Sequence, residues 1–337
     1  MTDSPQFTNR KIVLAQRPKG MPTLDDFRLE EEPLPALEPG QVVVGTEYIS
    51  IDAFIRTALE EGSYHQNVPV GGVVSGLGVG RILASEEPER KVGEAVFSPF
   101  GAQTHVIAPG AMMQPLDETI APAKARLGVL GMTTGLTAWM GIHVVGEVKQ
   151  GQTVLVSAAA GAVGSVAAQL AKIAGARVIG LAGGPDKVAF LTDDLGLDAA
   201  IDYKREDVDA RLRELAPDGI DVYFDNVGGE ILDIVLDQIK ERARVVICGA
   251  ISQYQNMGEV RGPSLYLRLA ERQARMEGFA VTHFEDRFPE AEADLAGHLE
   301  AGRLKLREQV VEGIERFPEA LITLFEGGNT GKMLVRV

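Results

Sequence analysis

From residue 153 onward, short apolar runs of strand length alternate with helical segments, and this alternation constrains the fold more than any other feature. The first run is Thr153-Val154-Leu155-Val156, and a helical segment follows it through Val166, Gln169 and Ile173. Strands that alternate with crossover helices form a right-handed, doubly wound parallel sheet. A final pair, a helix within residues 265–276 and a strand at residues 278–281, is predicted to complete six strands. The predicted fold class is therefore α/β.

The first 120 residues differ, because they are β-rich and irregular. Short apolar runs such as Lys11-Ile12-Val13-Leu14 and Gln41-Val42-Val43-Val44 are separated by glycine and proline clusters, notably at residues 33–40. Residues 120–148 are predicted to be helical. The run at residues 332–337 is predicted to be a strand that could return to the N-terminal domain. A chain of 337 residues is long enough for two such domains.

Composition argues against several classes of protein. The single cysteine, Cys248, excludes an internal disulfide framework and a cysteine-rich zinc site, and it favours a reducing, cytoplasmic environment. The formal net charge of −15 argues against a nucleic-acid partner, because nucleic-acid binders carry basic faces that neutralise phosphates. No apolar run reaches the ~18–20 residues that span a bilayer, and the polar first ten residues do not resemble a secretory signal. The expected partner is a small molecule, without a nucleic acid or a membrane.

The turn after the first strand, Ala159-Ala160-Gly161-Ala162-Val163-Gly164, has the spacing of a dinucleotide-binding turn, with Ala159 in place of the first glycine. Gly161 would let backbone amides approach a pyrophosphate, and Gly164 would permit close contact between helix and strand. The helix that starts there offers unpaired N–H groups and the positive end of its dipole to an anion. Small residues also relieve crowding in structural turns, but a position between a strand and a helix favours a dinucleotide site.

The end of the second strand indicates which dinucleotide is bound. A site selective for NAD usually has Asp or Glu about 20 residues after the turn, where it bonds the ribose 2′-hydroxyl. Here the strand ends in Leu181-Ala182-Gly183-Gly184 without a carboxylate, and Lys187 follows. The glycines leave room for a 2′-phosphate and Lys187 supplies a positive charge, so NADP(H) is favoured. The alternative is that Lys187 is an ordinary solvated helix residue.

Five segments together resemble a known family. They are Gly135–Ala138, Ala158–Gly164, Phe224–Gly229, Cys248–Tyr254 and Gly328–Lys332. In their order along the chain they are similar to the zinc-independent medium-chain dehydrogenases/reductases, in particular the group of prostaglandin reductases, leukotriene B4 dehydrogenases and alkenal double-bond reductases. The resemblance implies a Rossmann NADP-binding domain at residues 131–299, a β-rich GroES-like catalytic domain at residues 1–130 and 300–337, and a homodimer.

The resemblance also implies which residues bind the cofactor. Lys187 and Tyr203 would hold the adenosine 2′-phosphate, and residues 248–254 would surround the nicotinamide half. Other interpretations stay open: Asn226 can be a turn residue, Tyr203 can cover a strand end, and Tyr254 can simply pack a loop. The full set is Thr137, Gly161, Ala162, Val163, Gly164, Lys187, Tyr203, Asn226, Cys248, Gly249, Ala250, Ile251, Ser252, Gln253, Tyr254, Phe279, Ala280, Val281 and Asn329.

No metal is expected. Zinc alcohol dehydrogenases of the same superfamily hold their metal with Cys and His ligands. The corresponding stretches of this chain, residues 50–56 and 71–76, contain neither residue type. The first stretch also has Phe54 where the family commonly has Tyr, so one hydroxyl is lost. Arg56 could contact the cofactor or a substrate carboxylate, or bridge to Asp52.

These inferences lead to a hypothesis for the reaction, the NADPH-dependent reduction of the C=C bond in α,β-unsaturated ketones or aldehydes. Hydride transfer to the β-carbon would generate an enolate, whose charge requires hydrogen-bond donors. Tyr254 or solvent would then protonate the α-carbon, since a phenol keeps its proton at neutral pH. The alternatives are an NADPH quinone oxidoreductase with the same cofactor site and a non-catalytic NADPH-binding protein.

Overall fold

The computed structural model describes residues 7–61, 67–254 and 259–337. The chain divides into two compact units, one of residues Met1–Leu127 and Glu308–Val337 and one of residues Gly128–Arg307. The sequence-based division set its boundaries at residues 130 and 300. The roles given to the two domains, catalysis and cofactor binding, stay predictions.

Strands and helices are numbered in chain order. The strands of the described residues are β1 (Thr8–Leu14), β2 (Phe27–Pro33), β3 (Gln41–Ser50), β4 (Gly78–Ser85), β5 (Ala95–Ser98), β6 (His105–Pro109), β7 (Gln114–Pro115), β8 (Thr153–Val156), β9 (Arg177–Ala182), β10 (Ala199–Asp202), β11 (Ile220–Asp225), β12 (Ile239–Ile247), β13 (Arg275–Gly278), β14 (Glu308–Glu312) and β15 (Lys332–Arg336). The α-helices are α1 (Phe54–Ala58), α2 (Thr137–Trp139), α3 (Ala162–Ile173), α4 (Pro185–Ala189), α5 (Val208–Leu215), α6 (Gly229–Leu236), α7 (Leu267–Glu271), α8 (Phe288–Glu300) and α9 (Phe317–Phe325).

The unit of residues 128–307 contains a six-stranded sheet in the order β10-β9-β8-β11-β12-β13, and all its pairs are parallel. The chain forms β8 first, moves outward through β9 and β10, and then returns to the other side of β8 with β11. The strand order therefore reverses between β8 and β11, and a crevice for ligands opens at the carboxyl ends of the strands there. The predicted α/β fold with a doubly wound parallel sheet is confirmed.

The central strands form because their apolar side chains are buried on both faces of the sheet. Val154, Leu155 and Val156 of β8 are fully buried. Leu155 belongs to a core cluster that also includes Leu212 of α5 and Leu236 of α6. Continuous apolar runs of this kind are typical of parallel strands with helices on both faces. This core fixes the carboxyl ends of the strands, where the candidate site lies.

The sixth strand differs from its prediction. β13 comprises Arg275–Gly278, whereas the strand was predicted at residues 278–281, of which Gly278 ends β13 and Val281 begins a 3₁₀ helix at Val281–Arg287. All four residues of β13 are exposed at the edge of the sheet. Its sequence Arg-Met-Glu-Gly therefore lacks the apolar pattern by which a strand is recognised.

The unit of residues 1–127 and 308–337 contains a seven-stranded sheet in the order β14-β15-β3-β4-β5-β7, with β6 also paired to β3. Val42, Ile82 and Phe100 lie in its buried core. β15 pairs with β3 in antiparallel orientation, and Leu334 lies opposite Ser50. The β-rich character of this unit and the predicted return of residues 332–337 to it are confirmed.

The segment predicted as helical at residues 120–148 is irregular. Two π-helical turns, Met132–Leu136 and Met140–Val145, flank α2, and a 3₁₀ helix precedes them at Ala123–Leu127. Gly135 is required in the first π turn, because a Cβ there would lie 1.7 Å from the carbonyl oxygen of Val129. π turns of this kind are frequent at functional sites.

Candidate cofactor-binding site

The turn between β8 and α3 has the geometry of an anion-binding turn. After β8 the chain turns at Ala158, which has a left-handed conformation with φ 47°. Gly161 precedes α3 with φ −81° and ψ −179°, and no side chain in the described part of the chain caps the helix there. The first N–H groups of α3 are therefore available to a ligand.

Gly164 is required by the close approach of α3 to this turn. A Cβ at Gly164 would lie 2.3 Å from the carbonyl oxygen of Ala158. A Cβ at Gly161 would lie 3.1 Å from the same oxygen. A side chain at Gly164 would therefore push α3 away from β8, as the sequence pattern implies. The contact of Gly161, Ala162, Val163 and Gly164 with a cofactor stays a prediction.

The ends of β9 and β10 form a second part of the site. These strands are parallel neighbours, with Asp202 opposite Ala182. Asp202 is buried, and its Oδ1 accepts hydrogen bonds from the N–H groups of Gly184 at 2.8 Å and Lys204 at 3.0 Å. The hydrogen bond from the Gly184 N–H is the largest cause that lowers the pKa of Asp202, and the bond from the Lys204 N–H lowers it further. The carboxylate therefore ties the segment after β9 to the segment after β10.

Two lysines and a tyrosine converge near Gly183. A Cβ on Gly183 would lie 2.7 Å from the hydroxyl oxygen of Tyr203 and 3.0 Å from Cε of Lys204. Burial lowers the pKa of Lys187, and the positive charge of nearby Lys204 lowers it further. Tyr203 and Lys204 thus lie together beside Gly183, and Lys187 lies close enough to Lys204 for that charge to lower its pKa. The sequence indicated Lys187 and Tyr203 for the 2′-phosphate, but it did not indicate Lys204, because the position of Lys204 depends on the pairing of β9 with β10.

At the crevice, β8 and β11 end side by side. Asn226 follows β11, and its Nδ2 donates to the carbonyl oxygen of Ser157 at 2.7 Å. The backbone N–H of Asn226 donates to Ser157 Oγ at 2.9 Å. Ser157 Oγ donates in turn to Oδ1 of the fully buried Asp225 at 3.1 Å. The sequence analysis found Asn226 but missed Ser157 and Asp225, since their approach requires the neighbouring positions of β8 and β11.

The segment assigned to the nicotinamide half, residues 248–254, packs on the loop after β11. The N–H groups of Cys248 and Gly249 donate to the carbonyl oxygen of Asp225 at 2.9 and 3.1 Å, and the N–H of Ile251 donates to that of Asn226 at 3.1 Å. Burial of the thiol, together with the negative charge of Asp225, raises the pKa of Cys248 to about 12. A thiol with so high a pKa is unreactive at neutral pH. We therefore expect residues 248–254 to act through their backbone groups and their shape, and not through a reactive thiol.

Tyr254 lies at the end of this segment, directly after the 3₁₀ helix Ile251–Gln253. Its hydroxyl oxygen accepts a hydrogen bond from the N–H of Ala250 at 3.1 Å. A phenol oxygen that accepts a hydrogen bond still has its own proton to donate. The geometry is therefore compatible with the proton donor that the sequence analysis predicts.

Other assigned residues of this unit lie around the π turns. The Thr137 hydroxyl donates to the carbonyl oxygen of Met132 at 2.7 Å, so its proton is used within the helical segment. Thr134 was missed from the sequence; it is fully buried, and its hydroxyl has no hydrogen-bond partner among the described residues. Phe279 lies beside Gly141, where a Cβ would approach its ring Cζ to 3.2 Å, and Ala280 and Val281 follow it.

In the other unit, Lys332, the last residue of the segment Gly328–Lys332, forms a buried ion pair with Asp52. Lys332 Nζ lies 2.6 Å from Asp52 Oδ1, and the side chains of Lys332 and Asp52 are 1% and 7% exposed. Ser50 Oγ donates to the other oxygen of the Asp52 carboxylate. Nearby in sequence, Asn329 is buried and its Nδ2 donates to the carbonyl oxygen of Gly331 at 3.1 Å. The cofactor contact implied for Asn329 stays a prediction.

Arg56 does not form the bridge to Asp52 that was one of its three interpretations. Its Nη2 lies 2.6 Å from Glu60 Oε1 and donates to the carbonyl oxygen of Gly20 at 2.8 Å. Arg56 is fully buried, and its Nε and Nη1 have no hydrogen-bond partner among the described residues. Contact with the cofactor or with a substrate carboxylate therefore stays open.

Comparisons with known proteins agree with this geometry. Residues 10–116 match the family described as the N-terminal domain of oxidoreductase, and residues 162–296 match the zinc-binding dehydrogenase family. The putative NADP-dependent oxidoreductase YfmJ of Bacillus subtilis is 42% identical, over 98% of this chain and 98% of its own length. The chain belongs to the medium-chain dehydrogenase/reductase family. The family that the sequence motifs resemble is confirmed.

Two further members of the family are similar over nearly the whole chain. The NADP(+)-dependent 2-alkenal reductase of Nicotiana tabacum is 36% identical over 98% of this chain and 98% of its own length. The crystal structure of CurA from Vibrio vulnificus in complex with NADPH has a TM-score of 0.92 and 38% identity, and covers 97% of this chain and 99% of its own. Although the name of one matched family refers to zinc, no cluster of three or more His, Cys, Asp or Glu within residues 7–61, 67–254 and 259–337 could hold a metal ion.

Proposed function

We propose that this enzyme reduces the C=C bond of α,β-unsaturated ketones and aldehydes with NADPH. The observation that carries the cofactor is the end of β9, where Gly183 lets the Tyr203 hydroxyl approach the backbone closely, and where Lys187 and Lys204 lie close together. Two cations in one place suit a dianionic 2′-phosphate better than a neutral hydroxyl. The NADP-dependent relatives support the same cofactor, and the 2-alkenal reductase supports a conjugated C=C bond as the reacting group.

The other proposed contacts follow the crevice between β8 and β11. The N–H groups at the start of α3 and the glycines Gly161 and Gly164 would take the pyrophosphate. Asn226 and residues 248–254, which pack on one another, would take the nicotinamide half. Thr137 and residues 279–281 keep the roles that the family resemblance implies.

The chain's part in the reaction is to orient the substrate and to provide a proton. When bound, NADPH supplies the hydride that reduces the β-carbon. Negative charge then develops on the carbonyl oxygen of the substrate, so a hydrogen-bond donor is needed there. Tyr254 is the proposed donor and acid, because the N–H of Ala250 holds its oxygen at 3.1 Å and a phenol keeps its proton at neutral pH. Solvent is the other possible source of the proton.

The proposed reaction is tested by steady-state oxidation of NADPH with 2-alkenals, prostaglandin-like enones and quinones. We expect turnover of the alkenals and enones, with a product that keeps its carbonyl group and has a saturated C–C bond by NMR. Turnover of quinones with inert enones would instead support a quinone oxidoreductase. Tight binding of NADPH without oxidation by any acceptor would support a non-catalytic NADPH-binding protein.

Tyr254→Phe is expected to lower kcat on a 2-alkenal by about a hundredfold, since general acid catalysis typically contributes that much. The KM for NADPH should change little, because the exchange removes only one hydroxyl group and keeps the aromatic ring in place. Tyr266→Phe is the matched control, since Tyr266 is 58% exposed in the same unit. An unchanged kcat for Tyr254→Phe would assign the proton to solvent.

We propose that the enzyme is a homodimer that pairs through β13. This edge strand is exposed at all four residues, and the residues before it include Val260, Tyr266 and Leu267, each more than half exposed. An open strand edge beside apolar side chains favours pairing with another chain. We expect light scattering to give twice the monomer mass, and Met276→Asp in β13 to shift the protein toward monomer. Met112→Asp, at an exposed residue of the other unit, should stay dimeric; a monomeric wild type would contradict the proposal.

We also propose a cytoplasmic location and, apart from the second copy of the chain, a small-molecule partner without a nucleic acid or a membrane. The single cysteine and the net charge of −15 support this proposal. In the described ranges of the chain, no helix has the length and apolar character to cross a membrane.

A further inference from the structure

A fully buried carboxylate lies where the strand order of the parallel sheet reverses, and the proposed reaction does not use it. Asp225 Oδ1 accepts hydrogen bonds from Tyr223 OH at 2.7 Å, Ser157 Oγ at 3.1 Å, and the N–H groups of Val227 and Gly228 at 2.9 and 3.0 Å. Burial, and then the charge of Asp225, raises the pKa of Tyr223 well above its usual value, so this phenol remains a donor. Four donors thus fix the position of one oxygen.

The two oxygens of the Asp225 carboxylate differ in their surroundings. Asp225 Oδ2 is buried and has no hydrogen-bond partner among the described residues. A buried acceptor without a partner is costly, and a strand end can be packed with apolar side chains at no such cost. The four bonds to Oδ1 therefore indicate a positional role for this carboxylate beyond closing the sheet.

Ser157 connects this carboxylate to Asn226. Its hydroxyl donates to Asp225 Oδ1, which turns the oxygen lone pairs toward the N–H of Asn226, 2.9 Å away. The carbonyl oxygen of Ser157 accepts from the Asn226 side chain at 2.7 Å. Ser157 therefore holds Asn226 at two points, and Asp225 fixes the rotamer of Ser157.

The contact with a carbonyl decides which way the Asn226 amide faces. A backbone carbonyl oxygen accepts hydrogen bonds and cannot donate, so the amide atom that faces Ser157 must be the NH₂ group. The Oδ1 atom then lies on the opposite side of the amide, and the side chain is partly exposed at the crevice. An amide oxygen in this position accepts from a ribose hydroxyl and repels a phosphate oxygen.

We propose that Ser157 and Asp225 are positioning residues, which hold the Asn226 amide with its oxygen toward a ribose hydroxyl in the nicotinamide half of the dinucleotide. The inference rests on the proposed use of NADPH. It assigns the Ser157–Asn226 pair to the nicotinamide half alone. The adenosine 2′-phosphate is held separately by Lys187, Tyr203 and Lys204 at the end of β9.

The test compares two ligands that share the adenosine 2′-phosphate. NADPH contains the nicotinamide half, and adenosine 2′,5′-bisphosphate lacks it. We expect Ser157→Ala to raise the Kd of NADPH about tenfold and to leave the Kd of the bisphosphate unchanged, both measured by calorimetry. Equal weakening of both ligands, or no change for either, would overturn the inference. If the alanine variant does not fold, Ser157→Cys carries the same expectation, because a thiol is a weak acceptor.

Two further variants separate positioning from general damage to the buried cluster. Tyr223→Phe removes one donor to Asp225 and a contact with Ser157, so any loss of affinity should fall on NADPH alone and leave the Kd of the bisphosphate unchanged, even if the melting temperature falls. Ser157→Ala should have no further effect on NADPH binding in an Asn226→Ala background, since it acts through Asn226. Additive effects in that double variant, or weaker binding of the bisphosphate in Tyr223→Phe, would refute the positioning role. A wild-type protein that binds neither ligand would instead refute the proposed cofactor.

Discussion

Lys187→Ala and Lys204→Ala should each raise the Kd of NADPH by one to two orders of magnitude and leave the Kd of NADH nearly unchanged. A hydrogen bond to a charged group contributes about 1.5–3 kcal/mol, and each lysine would supply one to the 2′-phosphate. NADH carries a hydroxyl at that position and gains little from either charge. Titration of both variants with both dinucleotides gives the four dissociation constants that test this expectation.

Lys149→Ala is the matched control for the two lysines. Lys149 is exposed just before the amino end of β8, whereas Lys187 and Lys204 follow the carboxyl ends of their strands. It should bind both dinucleotides as the wild type does.

Lys204→Ala should also raise the pKa of Lys187 toward its usual value, because it removes a nearby positive charge, and NMR titration of the Lys187 ammonium measures this. An unchanged NADPH affinity in both variants would exclude the phosphate role.

Gly164→Ala is expected to destabilise the fold by about 3 kcal/mol and to weaken NADPH binding at least a hundredfold. The new Cβ would lie 2.3 Å from the carbonyl oxygen of Ala158, a backbone atom that cannot move aside without the turn. α3 must therefore shift away from β8, and its first N–H groups move with it. Urea unfolding measures the lost stability, and titration with NADPH measures the lost affinity.

Gly161→Ala is the control for this substitution. Its Cβ would lie 3.1 Å from the same oxygen, and its φ of −81° suits any residue. We expect a loss of stability below about 1 kcal/mol, typical of tolerated exchanges, so that the difference between the two alanine variants isolates the helix displacement. Equal stability of the two variants would show that α3 tolerates the shift.

The fold could be predicted to the level of layers, because burial on both faces leaves an apolar signature in β8, β9 and β11. Edge elements leave no such signature. β13 was set three residues too late, since Arg275–Gly278 is exposed throughout, and the apolar Phe279-Ala280-Val281 that follows looks more like a buried strand. The π turns around α2 could not be predicted either, because the apolar pattern of a helix assumes 3.6 residues per turn.

The candidate site could be predicted where its residues lie in the turn after a strand or at the start of the next helix, as Gly161, Gly164 and Asn226 do. Residues that meet only through tertiary pairing were missed. Lys204 approaches Lys187 because β10 lies beside β9, and Ser157 approaches Asp225 because β11 lies beside β8. The ion pair of Asp52 with Lys332 is the extreme case, since its partners are 280 positions apart. Such contacts depend on strand order, which local sequence patterns do not determine.

The pairing of β15 with β3 has a consequence for synthesis on the ribosome. β3 is made early, but one of its neighbours, Lys332–Arg336, emerges only after the whole unit of residues 128–307. The unit of residues 128–307 can therefore reach its native state first, while the earlier half waits with an open β3 edge. An unpaired edge that persists through translation is a target for chaperones and for misassociation between nascent chains. We therefore expect the two units to mature in the reverse of the order in which their synthesis begins.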